Sequence, residues 1–163
     1  MTDVVTPRTA QLVGFAQEEM QLDLPTREVA LKWVVIVNET LSPGRAANAA
    51  AAVAAATSPA VSGLLGPGSA DADESHHAGL PWLGCTVVAA GDEKLRRIRS
   101  KALGRQEVFI ADMPVIAQQT RVYQEYLDQI STAASEAIDY AAISLVGPRK
   151  YVERLVGGLS LLS

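Results

Sequence analysis

An α/β domain, helices packed on a small sheet, is the fold class this sequence predicts, and three observations predict it. Apolar runs of strand length fall at residues 32–38, 84–90, 107–111 and 140–146, with helix-spaced stretches between them. The first two runs each pass through a short turn into a helix start, as strand–turn–helix units do. Finally, 48% hydrophobic residues in 163 suffice for one buried core, and only 5% aromatics make that core mostly Ala, Val, Leu and Ile.

The elements follow in order. Thr6 and Pro7 mark a helix start, with Leu12, Phe15, Glu19 and Met20 near helical spacing. Residues 1–30 are therefore expected to be a helical extension to a domain spanning 31–163. Leu31 and Trp33 to Val37 read as a buried strand. Ser42 is placed to cap a helix whose first residue is Pro43, and this helix runs to about Ala56 before Pro59 stops it. Residues 66–79 are Gly-flanked, polar and acidic, and are expected to form a mobile, metal-free loop. A second strand over 84–90 leads to a helix capped by Asp92 and ended by Gly104. The third strand, 107–111, ends at Asp112. Val122, Tyr126 and Ile130 place a helix over 118–130. A fourth strand, 140–146, precedes a helix over 149–156.

The bulk numbers also exclude. A net charge of −4 disfavours a protein built mainly to hold nucleic acid, leaving that partner open at best. A single cysteine, Cys85, cannot form an intrachain disulfide and suits a reducing, cytoplasmic setting. No apolar run reaches membrane-span length, and no signal-peptide pattern is seen. Cys85, in a strand beside Gly84, reads as a small buried hydrophobe. The adjacent pair His76–His77 lacks the spacing of a metal site, so neither metal nor cofactor is expected.

The first strand, the turn ending Pro43-Gly44-Arg45-Ala46-Ala47, the second strand with its basic helix, and the late Val146-Gly147-Pro148 resemble the family called domain of unknown function 2000, over about residues 31–162. That family in turn resembles the type 2 peptidyl-tRNA hydrolases. The resemblance implies a small mixed four-stranded sheet flanked by helices, and a homodimer. Arg45 takes the place of the hydrolase lysine, a fixed planar cation where those enzymes have an amine. Asp112 matches the hydrolase aspartate. Two hydrolase threonines fall on Ile116 and Ala142, and the helix-one glutamine and histidine fall in an alanine run where Asn48 is the amide nearby.

Two functional expectations result. As a hydrolase of an ester or amide on an RNA-linked, peptidyl- or aminoacyl-tRNA-like substrate, the chain would use Arg45 to hold the anion and Asp112 to orient or activate water. Asn38 and Asn48 would supply hydrogen bonds. As a non-catalytic or relic binding module, it would take a small anionic ligand or a partner in the same crevice. The missing hydroxyls favour the second, since one lost preorganised donor costs on the order of 10²–10³ in rate. Asn38, Gly44, Arg45 and Asn48 are the expected binding set, because a helix start leaves backbone donors free at its positive end. Arg149 joins them, since Arg149 and Lys150 open a helix where cations oppose the dipole and a bound anion would compensate. Arg45 and Asp112 are expected to face one crevice, both following strands that end on the same side. Lys94, Arg97 and Lys101 share one face of the second helix, either as a solvated surface or as a steering patch for acidic or RNA partners.

Overall fold

The computed structural model describes residues 13–163. Its elements run β1 (Leu31–Asn38), α1 (Pro43–Thr57), β2 (Ser69–Ala70), β3 (His76–His77), β4 (Thr86–Ala90), α2 (Asp92–Leu103), β5 (Phe109–Pro114), α3 (Tyr123–Thr132), β6 (Tyr140–Pro148) and α4 (Arg149–Leu155). The main sheet has the order β4-β1-β6-β5. β1 pairs with β4 in parallel, while β6 runs antiparallel to both β1 and β5. The sheet is thus four-stranded and mixed, and β1, β4 and β5 all end at the same side of the molecule.

Strand alternation divides the core into two layers. Trp33, Val35 and Val37 face α1, packing on Ala46, Ala49 and Val53, with Phe109, Ala111 and Met113 of β5 on the same face. The small alanines let α1 lie close to the strands. Val34, Ile36, Ile143 and Leu145 face the other way, onto Leu95, Ile98 and Ala102 of α2 and Val152 of α4. Because both faces are covered, β1 and β6 read as nearly continuous apolar runs.

A chain of buried hydroxyls ties α1 to the sheet. Trp33 Nε1 donates to Ser144 Oγ at 2.8 Å, and Thr57 Oγ1 donates to the Val53 carbonyl at 2.7 Å. Ser144 Oγ and Thr57 Oγ1 are 2.7 Å apart. Since Thr57 already spends its proton on Val53, Ser144 is the donor in that last bond, and each group in the chain is satisfied.

Several expectations change. The extension is not an α-helix over its described part: residues 13–30 hold two 3-10 turns, Gln17–Glu19 and Thr26–Glu28. Val13, Phe15 and Val29 are buried in the α1-side core, so this segment lies across the domain as a strap. Gly63, with φ of 65°, makes room for it: a Cβ there would sit 2.8 Å from the Phe15 carbonyl oxygen. The Thr6–Leu12 helix start lies outside the described residues. Between Gly66 and Gly79, β2 and β3 form a small hairpin rather than an irregular loop. Its turn is organised by Asp71, whose Oδ1 accepts from the backbone N–H groups of Asp73 and Ser75, both at 2.9 Å. The helix expected over 118–130 starts later. A 3-10 turn over Val115–Gln118 follows β5 first, and α3 begins at Tyr123. Among the described residues no helix is long and apolar enough to cross a membrane.

Candidate functional site

The end of the sheet where β1, β4 and β5 finish gathers most of the polar side chains that the sequence singles out. Asn38, the last residue of β1, is 2% exposed. Its Nδ2 donates to Asp92 Oδ1 at 2.6 Å and to the Tyr140 carbonyl at 3.1 Å. Its Oδ1 accepts from the Thr40 backbone N–H at 3.0 Å and from the Thr40 hydroxyl at 2.8 Å. An asparagine amide has two donors and one doubly accepting oxygen, so all of its capacity is spent. Asn38 is therefore a fastener joining β1, the β1–α1 turn, α2 and β6, and not the ligand contact expected of it. Asp92 is likewise not the cap of α2: Gly91 holds that position, and Asp92 is the first helical residue.

Asp112 lies within β5, on the face that packs on α2. Its Oδ2 accepts from Arg99 Nε at 2.7 Å, a part-buried ion pair. The Arg99 guanidinium also sits 5.0 Å from the centroid of the Tyr140 ring. Tyr126 of α3 completes the cluster. Burial raises the pKa of both phenols; Asp112 adds to each rise, while Arg99 pulls Tyr140 the other way. Arg96 of α2 pairs with Asp139 beside it.

The crevice expected between Arg45 and Asp112 does not form. The three strands do end together, but Asp112 points to the α2 face while Arg45 stands on α1, which covers the opposite face. The reason is parity: Asp112 keeps step with Ile110, and Ala111 and Met113 are the residues turned toward α1.

At the start of α1, Ser42 occupies the cap position but its hydroxyl makes no capping bond. Pro43, Gly44, Arg45 and Asn48 are exposed, and a Cβ built on Gly44 would meet nothing within 4 Å. Gln118, in the 3-10 turn after β5, reaches over: its Nε2 donates to the Arg45 carbonyl at 2.9 Å and to Asn48 Oδ1 at 3.1 Å. The Gln118 Oε1 is buried with no partner among the described residues. Gln118 thus joins Asn48 to the Arg45 backbone beside the open Gly44, a member that sequence spacing had no means of locating.

Arg149 lies at the far end of the sheet. Its Nε donates to the Val29 carbonyl at 2.7 Å, and Nη2 donates to the carbonyls of Thr26 and of Leu31, the latter at 3.3 Å. Nη1 reaches Glu153 at 3.3 Å. It clasps the strap, its guanidinium engaged by three carbonyls and the Glu153 carboxylate where the sequence led us to expect a bound anion. Nearby, Cys85 is exposed and not buried as expected. It lines a cavity of about 260 Å³ with Lys32 and Arg149. Although part of the residue meets solvent, the groups packed around the sulfur strip water from it and push its thiol up to about 11, against a smaller downward pull from a Val35 backbone hydrogen bond. The two cations beside it are already engaged by Glu153.

The family model described as protein of unknown function, DUF2000, matches residues 31–163. The chain belongs to this family. A solved structure of a protein of unknown function from Agrobacterium tumefaciens strain C58 is similar in fold, with a TM-score of 0.75 at 18% identity. The match covers 82% of this chain and 98% of that one. Among curated proteins none matches. The DUF2000 match begins at β1, so the strap lies before it.

Proposed function

We propose that this DUF2000 chain is a non-catalytic binding module for a small anionic ligand, held at the start of α1. The observation that carries this reading is where the polar groups spend their bonds. Asp112, the candidate for activating water, is engaged by Arg99, and Asn38 is saturated, so the groups expected to do chemistry serve the fold. Arg45 has no carboxylate partner among the described residues and stands beside an uncapped helix start. Gln118 braces the same place, its Nε2 tying the Arg45 carbonyl to Asn48 Oδ1. A cytoplasmic homodimer belongs to the same proposal, and sedimentation of the pure chain tests its dimeric part.

The test is a titration with inorganic phosphate followed by amide NMR. Shifts at residues 44–48 and 118 that are lost in Arg45→Gln support the reading. Turnover of an N-blocked aminoacyl-tRNA, abolished by Asp112→Ala, would overturn it in favour of the hydrolase alternative.

A further inference from the structure

On the opposite face of the sheet, α2 and α4 enclose a groove of about 520 Å³, lined by Lys94, Arg97, Ile98, Lys101, Arg105, Tyr151, Arg154 and Leu155. Five of these eight residues are cationic and none is acidic, in a chain with 14 basic and 18 acidic residues. Only Arg105 has a carboxylate partner among the described residues, Glu107 at a long 3.5 Å. Like charges gathered without counter-charges repel one another, so such a cluster is stabilised by an anion that fills it.

The arrangement is built, not a random surface scatter. Tyr151 donates its hydroxyl to the Lys101 carbonyl at 3.2 Å, joining α4 to the last turn of α2. The Arg105 guanidinium lies 4.8 Å from the Tyr151 ring centroid and that of Arg154 lies 6.0 Å away. One tyrosine thus gathers two arginines, one from the turn after α2 and one from α4, beside the row on α2. In that row, Lys94, Arg97 and Lys101 recur at i, i+3 and i+7, so by helical rise they spread charge over about 10 Å along the axis.

We propose that this groove binds a short oligophosphate: a small molecule carrying two or more linked phosphates, inorganic or at the end of a nucleotide. A single tetrahedral anion cannot span a row of that length, whereas a linear chain of phosphates contacts each cation in turn. A long nucleic acid fits less well. The ring in the groove is already approached by two guanidinium groups, which compete with stacking bases for it, and the net charge of −4 repels an extended polyanion. The site is separate from the start of α1 and does not depend on it.

Calorimetric titration of the full chain carrying Arg45→Gln, which removes the phosphate site proposed at the start of α1, with inorganic tripolyphosphate, orthophosphate, a nucleoside triphosphate and a single-stranded RNA 12-mer tests this. Tripolyphosphate is expected to bind at least about tenfold more tightly than orthophosphate, and Arg97→Gln with Lys101→Gln to weaken it by roughly tenfold or more. Arg27→Gln, at an exposed cation that does not line the groove, should leave it unchanged, and circular dichroism confirms folding of each variant. Equal binding of tripolyphosphate and the nucleotide points to the phosphates alone; tighter binding of the nucleotide adds a base contact, and both support the site. Orthophosphate binding as tightly as tripolyphosphate, an unaffected double variant, or RNA binding more tightly than tripolyphosphate would each overturn it.

Discussion

Replacing Ser144 with alanine removes one oxygen from the hydroxyl chain between Trp33 and Thr57, and the cost can be worked from the bonds that remain. Ser144 is 0% exposed, so water does not replace the lost oxygen from the surface. The Trp33 N–H, which donates to Ser144 Oγ at 2.8 Å, is left buried and unpaired, at about 1–3 kcal/mol. Thr57 keeps its donation to Val53 and loses only an incoming bond, roughly 0.5–1.5 kcal/mol. The expected destabilisation is therefore about 2–4 kcal/mol, equivalent at this chain length to a fall in Tm of roughly 5–15 °C. Urea unfolding followed by tryptophan fluorescence and circular dichroism measures it. Trp33→Phe in the Ser144→Ala background removes the orphaned donor as well, so the double variant should lose less than the sum of the two singles. A Ser144→Ala chain within about 0.5 kcal/mol of the parent, or strictly additive singles, would show that the hydroxyl chain is not what fixes α1 on the sheet.

Arg149→Ala should release the strap from the far end of the sheet, since the guanidinium supplies its bonds to Thr26, Val29 and Leu31. A loss of about 2–4 kcal/mol is expected, with faster proteolysis between residues 17 and 30; unchanged cleavage would refute the clasp. Cys85, although exposed, should alkylate slowly at pH 7 because its thiol titrates at about 11, and its rate should keep climbing up to that pH. The folded chain holds this proton more tightly than an ordinary thiol near 9.0, so the thiol's contribution to stability is present below pH 9 and lost as pH rises toward 11. A reactivity plateau near pH 9 would contradict this. Asp71 is held below its ordinary value by the Ser75 backbone N–H first and by His77 next, against a weaker upward push from burial. The β2–β3 hairpin should therefore keep its order above the usual aspartate pKa and fray as pH falls through the lowered one, which amide shifts of residues 69–77 report.

Much of the fold is legible in the sequence because periodicity and punctuation agree there. The run Trp33 to Val37, the Ser42-Pro43 start of α1, the Gly104 stop and the Gly147-Pro148 turn all mark elements within a residue or two. What escapes is set by contacts distant in sequence. Nothing local to Arg149 shows that its partners are carbonyls about 120 residues earlier. Asp112 is expected at the end of a strand over 107–111, whereas β5 runs on through it to Pro114. Its pairing with Arg99 follows from which face of β5 it occupies, and that depends on a register with β6 that no single strand encodes. The basic row on α2 is visible from spacing alone, but Tyr151 and Arg154 join it only because α4 packs beside α2. The Asp71 hairpin does have a local signal, a side-chain acceptor two and four residues ahead of N–H donors, which the polar composition of the stretch hides.

The placement of β6 between β1 and β5 bears on how the chain is made. β1 can find its parallel neighbour β4 as soon as residue 90 has emerged, but its other edge, the buried run of Val34 to Val37, pairs with residues 142–145. Throughout synthesis of the intervening segment an apolar strand edge therefore stays open, the condition under which nascent chains associate with one another or with chaperones. Closing that last, long-range pair also brings α4 onto the sheet and Arg149 onto the strap, so the central strand, its helix and the strap consolidate in one late step. Folding should accordingly be slow for a domain of this size, with its rate set by the search for a single distant strand.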